Sequence, residues 1–388
     1  MELKIRLVQS LAEIDPKVWR RLQSPDFPFN DLEFFQALDS SGSIGKGTGW
    51  QSLYLLAENQ AGVVVGILYC FIKQHSYGEY IFDWQWANFY QAHGASYYPK
   101  LLTSIPFTPA TGPRILVDPE TDSFSVRTGL IAAALELSQK SGLSSYHALF
   151  LEKDEQDYFE QRGLSIRHSL QYHWHNQGYR DFQDFLDSLI GKRRRDIVRE
   201  RKRAQSHGLT IEALTGSDLK PEHASIMNAL YQTTTDKKNA IAYLQPGFFD
   251  SVFDSMKDRI LFVLASDHGR PVAGALNFYK GNKLYGRYWG SLEPFADLHF
   301  ELCYYQTIDF ALRQNLAVFE AGAQGEHKVQ RGFLPSTTYS AHKLFDARFA
   351  QPIVDFIDDE RRALDELRRE YSNPYRLAEN SNGKEASV

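Results

Sequence analysis

Little in this chain invites disulfide, metal-thiolate or membrane chemistry. Two cysteines among 388 residues, Cys70 and Cys303, cannot build a thiolate zinc cluster and supply no disulfide framework. No metal site is expected. The longest apolar run, residues 63–72, has the length of a strand and falls far short of a membrane-spanning helix. A basic-then-apolar export signal is missing too, because the chain opens on a strand pattern at residues 2–8. These absences point to a reducing, cytoplasmic setting without integral membrane association. Charge of one sign is also lacking: 43 Lys and Arg against 48 Asp and Glu leave a net charge of −5. The surface as a whole therefore attracts neither nucleic acid nor anionic lipid, and any such partner needs a local patch.

Aromatics are plentiful. There are 21 Tyr, 26 Phe and 6 Trp, or 14% of the chain, enough to line clefts as well as fill cores. The length suits two domains of ordinary size, and the chain repeats itself. Leu53–Ala57 and the stretch that opens at Gly66 match Leu261–Ala265 and the stretch that opens at Gly274, both at an offset of 208 residues. Each copy reads as a β-hairpin, predicting Gly66 and Gly274 at equivalent places. In both halves a helical run then ends in a short strand, 129–140 before 145–151 and 300–314 before 317–321. Gln161-Arg-Gly163 and Gln330-Arg-Gly332 follow, each ahead of a closing strand at 166–174 or 337–344. Shared order across five features indicates duplication.

The expected fold class is thus α/β, a tandem duplication with mixed sheets covered by helices. The first half is residues 1–177, the second 178–350, followed by a C-terminal helix at 351–372 and a disordered tail at 373–388. A single helix, 182–205, is expected to open the second half, closed by Gly208 as a left-handed cap.

Candidate chemistry gathers in the second half. Glu320 lies near a strand end, with Glu326, His327 and Lys328 on the loop beyond. Strand ends facing a crevice are where α/β proteins place chemistry, and an acid, an imidazole and an amine together can deprotonate an attacking ammonium. The alternative is a solvated Glu326–Lys328 pair with His327 capping a helix. Tyr285, Arg287 and Trp289 alternate onto one strand face, forming either a pocket wall with one cation or a packed sheet face. Lys328 and Arg331 complete the candidate substrate contacts. Glu301 and Tyr305 share a helix face at i,i+4, where a hydroxyl can protonate a leaving group. Cys303 reads as core, His173 and His175 as a surface or interdomain pair, and 80–86 as the first half's counterpart of the aromatic wall.

Two segments offer anion cradles. In the first half, Lys100, Thr108, Thr111, Gly112 and Arg114 combine cations, hydroxyls and a free backbone N–H, unless they are a proline-rich structural turn. In the second, Lys192 to Arg203 carries eight basic residues, Arg194 and Arg195 among them, against Asp196 and Glu200. That helix either tracks phosphates or is a solvated face.

Three segments carry a family likeness. Leu189-Ile-Gly-Lys-Arg-Arg-Arg-Asp-Ile197 leading to Gly208-Leu-Thr-Ile211 is one, and Pro106-Phe-Thr-Pro-Ala-Thr-Gly-Pro-Arg114 is another. Phe319-Glu-Ala-Gly-Ala-Gln-Gly-Glu-His-Lys328 with Arg331-Gly-Phe-Leu-Pro335 is the most specific. Together they resemble the doubled, Fem-like branch of the GNAT acyltransferase superfamily, and in particular a bacterial family of predicted N-acyltransferases or peptidoglycan biosynthesis proteins. The likeness spans most of residues 25–345. It implies direct transfer of an acyl or aminoacyl group to an amine-bearing small molecule or peptide. It also implies an acyl-CoA or aminoacyl-tRNA donor, no tightly bound cofactor, and tRNA at Lys192 to Arg203. One departure stands out: the glycine-rich pyrophosphate turn is missing, and Ser291 to Glu301 carries Glu293, Asp297 and Glu301, which repel a diphosphate. Competing readings are a catalytically silent module recognising peptides or peptidoglycan precursors, and an RNA-binding protein using the arginine helix.

Overall fold

The computed structural model describes residues 2–237, 241–322, 325–371 and 373–376. The first half runs β1 (Lys4–Val8), α1 (Pro16–Leu22), α2 (Leu32–Ser40), β2 (Trp50–Glu58), β3 (Val64–Lys73), α3 (Trp84–Ala92), β4 (Lys100–Thr103), β5 (Ile115–Val117), α4 (Ser123–Lys140), β6 (Ser145–Leu151), α5 (Gln156–Gln161) and β7 (Ser165–His175). The second begins with α6 (Phe182–Ser188), α7 (Gly191–Gln205), β8 (Thr210–Leu214), α8 (Pro221–Lys237), α9 (Pro246–Ser255), β9 (Ile260–Asp267), β10 (Arg270–Lys280) and β11 (Lys283–Ser291). A central helix follows, α10 (Leu298–Phe300) passing through a π-helical turn (Glu301–Tyr305) into α11 (Gln306–Arg313), then β12 (Val318–Glu320), β13 (Leu334–Leu344) and α12 (Ala347–Glu370).

Local chemistry sets many of these boundaries. Asp15 accepts from the Lys17 amide ahead of Pro16 at the first position of α1, and Asp122 caps α4 in the same way. Strands β6 and β9 are apolar almost throughout and buried on both faces, as strands inside a covered sheet must be.

All the described strands join one sheet in the order β1-β2-β3-β4-β6-β13-β7-β12-β11-β10-β9-β8, with β5 pairing beside β3. That order is a palindrome once each strand is matched with its repeat, except that the closing strands are exchanged. β13 pairs with β6 of the first half, whereas β7 pairs with β12 of the second. The two closing strands pair with each other, from Leu334 against His173 to His342 against Ser165. Each half therefore completes the other. One sheet face carries a core common to both halves, joining Trp19, Phe29 and Phe34 to Phe248, Phe262 and Phe278. On the opposite face the cores are separate, one under α4 with Leu130 and Tyr146, the other under the central helix with Leu302 and Phe319.

Three expectations need correction. The hairpins are equivalent, but their glycines are not: Gly66 pairs with Ala57, while Ala265, the repeat of Ala57, pairs with Ala273. The second hairpin is one residue tighter, and a one-residue slip turns every following side chain to the other face. Gly66 accordingly lies against Val126 and Leu130 of α4, and Gly274 against Leu230 of α8. The helix expected over 182–205 is two helices, broken at Leu189 and Ile190. Tyr375 bridges Leu189 there, and the Arg376 amide donates to Ser188 O. Those two residues, expected within a disordered tail, are thus bound; residues 377–388 of that tail lie outside the described residues. Residues 80–86, finally, are a loop and the start of α3, not a strand.

Candidate functional site

β11 and β12 run parallel but pair only from Lys283–Tyr285 against Val318–Glu320. Beyond that the strands fork. β11 stays on β10, broken by a bulge in which Leu276 faces Tyr288, Asn277 faces Gly286, and Arg287 is the extra residue. After β12 the chain turns away. The gap is a cleft of about 510 Å³ bordered by Asn277, Arg287, His299, Tyr304, His327 and Lys328. It continues past the fork into a second cavity of about 400 Å³ between the halves, where Tyr77, Tyr80, Phe82 and Trp84 face Tyr231 and Tyr243. Arg287, Tyr288 and Trp289 border both.

The wall opposite β11 is a short helical turn, Glu326–Arg331, between Gly325 at φ 117° and Gly332 at φ 88°. A Cβ on Gly325 would lie 2.6 Å from the His327 ring, so the approach requires glycine. His327 Nε2 is 3.1 Å from the Tyr304 hydroxyl. Burial, then the charges of Arg331 and Lys328, hold its imidazole below the usual value, leaving it neutral at pH 7 and able to accept a proton. Lys328 is buried, donates to Gly322 O at 2.9 Å, and is lowered by burial to about 8. A share of its amine is therefore neutral near physiological pH. Arg331 clamps this turn from outside: it donates to His327 O at 2.7 Å, pairs with Glu200 of α7 at 2.7 Å, and lies over the Phe300 ring. It holds the loop and does not line the cleft, where substrate contact was expected of it.

The π-helical turn decides what the central helix presents. Its wider winding directs Cys303 and Tyr304 to the cleft and Glu301 and Tyr305 to α7. Glu301 is fully buried on Arg201, which also holds Asp309, and the Tyr305 hydroxyl donates to Glu200. Neither reaches the cleft, so the acid and base roles expected of them are not available. Cys303 packs against the second half's core and also borders the cleft, and burial pushes its thiol up and keeps it protonated. Because the bulge interrupts the alternation, Tyr285 turns away from Trp289 and packs against Phe27 and Phe29 in the shared core. Glu320 is buried at the fork, accepts from the Thr111 amide at 3.1 Å, and is raised by burial to about 7. The Glu326 side chain lies outside the described residues.

In the first half the equivalent fork is filled. β4 and β5 are two pieces of the strand that corresponds to β11, and residues 104–114 loop out between them into the gap. Lys100, Thr108, Gly112 and Arg114 of the expected anion cradle are committed internally, as is the Thr111 amide. Lys100 is buried against Glu79 at 2.8 Å and Asp83 at 2.5 Å, and Thr108 donates to Pro106 O. The Gly112 amide donates to Phe150 O, and Arg114, fully buried, donates to the carbonyls of Leu149, Gly112 and Ala110. Only the Thr111 hydroxyl among them is left buried without a partner, and a single hydroxyl does not hold an anion, so this segment is a structural turn.

The arginine helix divides between two tasks. Arg201 faces inward, Arg194 pairs with Asp187, and Arg203 with Asp297. Lys192, Arg195, Arg199 and Lys202 form an exposed stripe at spacings of three and four, within which Arg199 pairs with Asp196 at 2.8 Å. At the start of the central helix Arg270 pairs with Glu293 as Arg203 does with Asp297, so that end is not the bare negative pole the sequence suggests. Burial drives His173 to about 3, and among the described residues no cluster could hold a metal ion. Sequence reading missed Tyr231, Tyr243 and Asn277. The aromatic excess was the only signal for the two tyrosines and Asn277 had none, since nothing local marks a residue that becomes a wall by tertiary contact.

The FemAB-like family model, described as peptidoglycan biosynthesis/recognition, matches residues 10–377. No curated protein matches the chain in sequence. FemX shares the fold at 11% identity and a TM-score of 0.51, over 91% of this chain and 100% of that one. So does the C-terminal DUF2156 domain of an Agrobacterium fabrum protein named for lysylphosphatidylglycerol synthesis, at 12% identity and a TM-score of 0.55, over 89% of this chain and 96% of that one. No helix among the described residues is long and apolar enough to cross a membrane. With a match over nearly its whole length, on a fold shared with FemX, the chain belongs to the FemAB-like peptidoglycan biosynthesis/recognition family.

Proposed function

We propose that the chain transfers an acyl or aminoacyl group to the amine of a peptidoglycan-type peptide at the fork between β11 and β12. The passage through the sheet at Arg287 carries this reading, because it lets two substrates meet from opposite faces. The donor carbonyl lies on the His327 and Tyr304 side, and the amine enters between the halves. The acceptor ammonium first yields one proton to water by way of the partly neutral Lys328 amine, the free amine attacks the carbonyl, and His327 takes the second proton from the nitrogen as it bonds. The new C–N bond forms as the bond from the carbonyl to the donor's oxygen or sulfur breaks. The proton then passes through the Tyr304 hydroxyl to the leaving atom. Attack is direct, because the only thiol at the cleft among the described residues is held protonated.

The stripe Lys192, Arg195, Arg199 and Lys202 lies on α7, whose other face grips the catalytic loop through Glu200. Four cations in a row favour a polyanionic donor carrier, aminoacyl-tRNA ahead of acyl-CoA, which also suits a cytoplasmic setting. Purified protein is to be given radiolabelled aminoacyl-tRNA or acyl-CoA with a stem-peptide acceptor. Transfer from aminoacyl-tRNA is expected. Arg195→Glu with Lys202→Glu should raise its KM and reduce the log–log salt slope by roughly 0.7–0.9 for each phosphate that is no longer neutralised. Failure of both donors to transfer to any amine would overturn the proposal.

A further inference from the structure

We infer that the arm of the cleft between the halves takes an acceptor with a ring-bearing or long apolar body and a single carboxylate, held on Arg287, and rejects one carrying a polyphosphate. This rests on the transfer reading above and names the class of its acceptor.

The walls supply the first half of the argument. Tyr77, Phe82 and Trp84 are 42%, 52% and 37% exposed, and they stand across the opening from Ile241 and Tyr243. Large apolar side chains left facing water on both sides of a cavity gain by enclosing a flat or apolar body. The charge inventory supplies the second. Among the described residues bordering this arm, Arg287 is the sole charged group. A diphosphate needs several cations or a nest of amides to leave water, and one guanidinium does not meet that need.

Arg287 itself is incompletely used. Its Nη2 donates to Phe107 O at 2.5 Å, which fixes the plane of the guanidinium at the fork, while its Nε is buried with no hydrogen-bond partner. The guanidinium also lies against Tyr288, 5.2 Å from its ring, which holds it at the junction of the two arms. Unpaired buried donors are rare, and a carboxylate set against the guanidinium supplies the acceptor it lacks. Since Arg287 stands where the two arms join, the carboxylate it holds lies close to the reacting amine, within one or two residues on a peptide. The apolar body trails outward along Tyr80 and Trp84.

Binding is measured without donor, by calorimetry and by the fluorescence of Trp84 and Trp289, using the dipeptide Phe-Phe, its C-terminal amide, and UDP. The free acid should bind at least about tenfold more tightly than the amide, as expected for one charge-assisted contact. Arg287→Gln should erase that difference, and UDP should not displace the dipeptide. Equal affinity of acid and amide for the unaltered protein, or displacement by UDP, overturns the inference whether or not the variant folds. Acid-selective binding without transfer to any amine sinks the transfer reading alone. Transfer accompanied by equal affinities sinks this inference alone.

Discussion

Where β11 carries one unpaired residue, Arg287, the corresponding strand of the first half is interrupted by residues 104–114. The single residue opens a passage. The longer excursion plugs one, around a fully buried Arg114 whose donors all end on backbone carbonyls. The plug also serves its neighbour: Phe107 O anchors Arg287, the Thr111 amide meets Glu320, and Pro109 O accepts from Gln171. Duplication thus left two copies of one strand pair, one open as a cleft and the other turned into its support.

The largest expected effect tests whether chemistry is confined to the open fork. His327→Ala should lower turnover by about 10²–10⁴ with little change in melting temperature, because the imidazole is largely exposed. Full turnover in that variant would move the reaction away from this loop. Next comes the plug. Arg114→Ala should cost about 3–5 kcal/mol in denaturant unfolding, since it strips buried carbonyls of their donor, yet leave donor KM per folded molecule unchanged. A raised donor KM would restore the first half as an anion site. The smallest effect concerns the contact between the halves. Burial raises the Glu320 carboxyl to about 7 from an ordinary 4.5, so the folded state holds its proton more tightly than the unfolded chain. That contribution to stability is complete below about pH 4.5 and is lost as pH rises through about 7. Glu320→Gln should flatten this part of the stability profile, and an unaltered profile would mean the fork carboxyl is solvated.

Much of the fold was legible because it is written locally. Hairpin alternation, the repeated helix-then-strand order and the closing strands recur in both halves, and periodicity reports which face is apolar. The site was legible in part. The His327–Lys328 loop and Arg287 could be singled out because polar groups beside glycines at a strand end are locally visible. Glu301 and Tyr305 could not be oriented, since a π-helical turn depends on what packs around it, and Arg114 reads the same in sequence whether it binds phosphate or its own carbonyls.

The sequence by itself determined that the chain is two copies of one α/β unit, and it marked candidate residues beside the second copy's last strands. Only the tertiary structure decided that the closing strands change places, that Gly66 answers to Ala273, and that the second fork is the open one. The reason is physical. Propensity and pattern act between residues a few positions apart, whereas register, strand exchange and the filling of a gap depend on which distant surfaces fit together at lowest free energy.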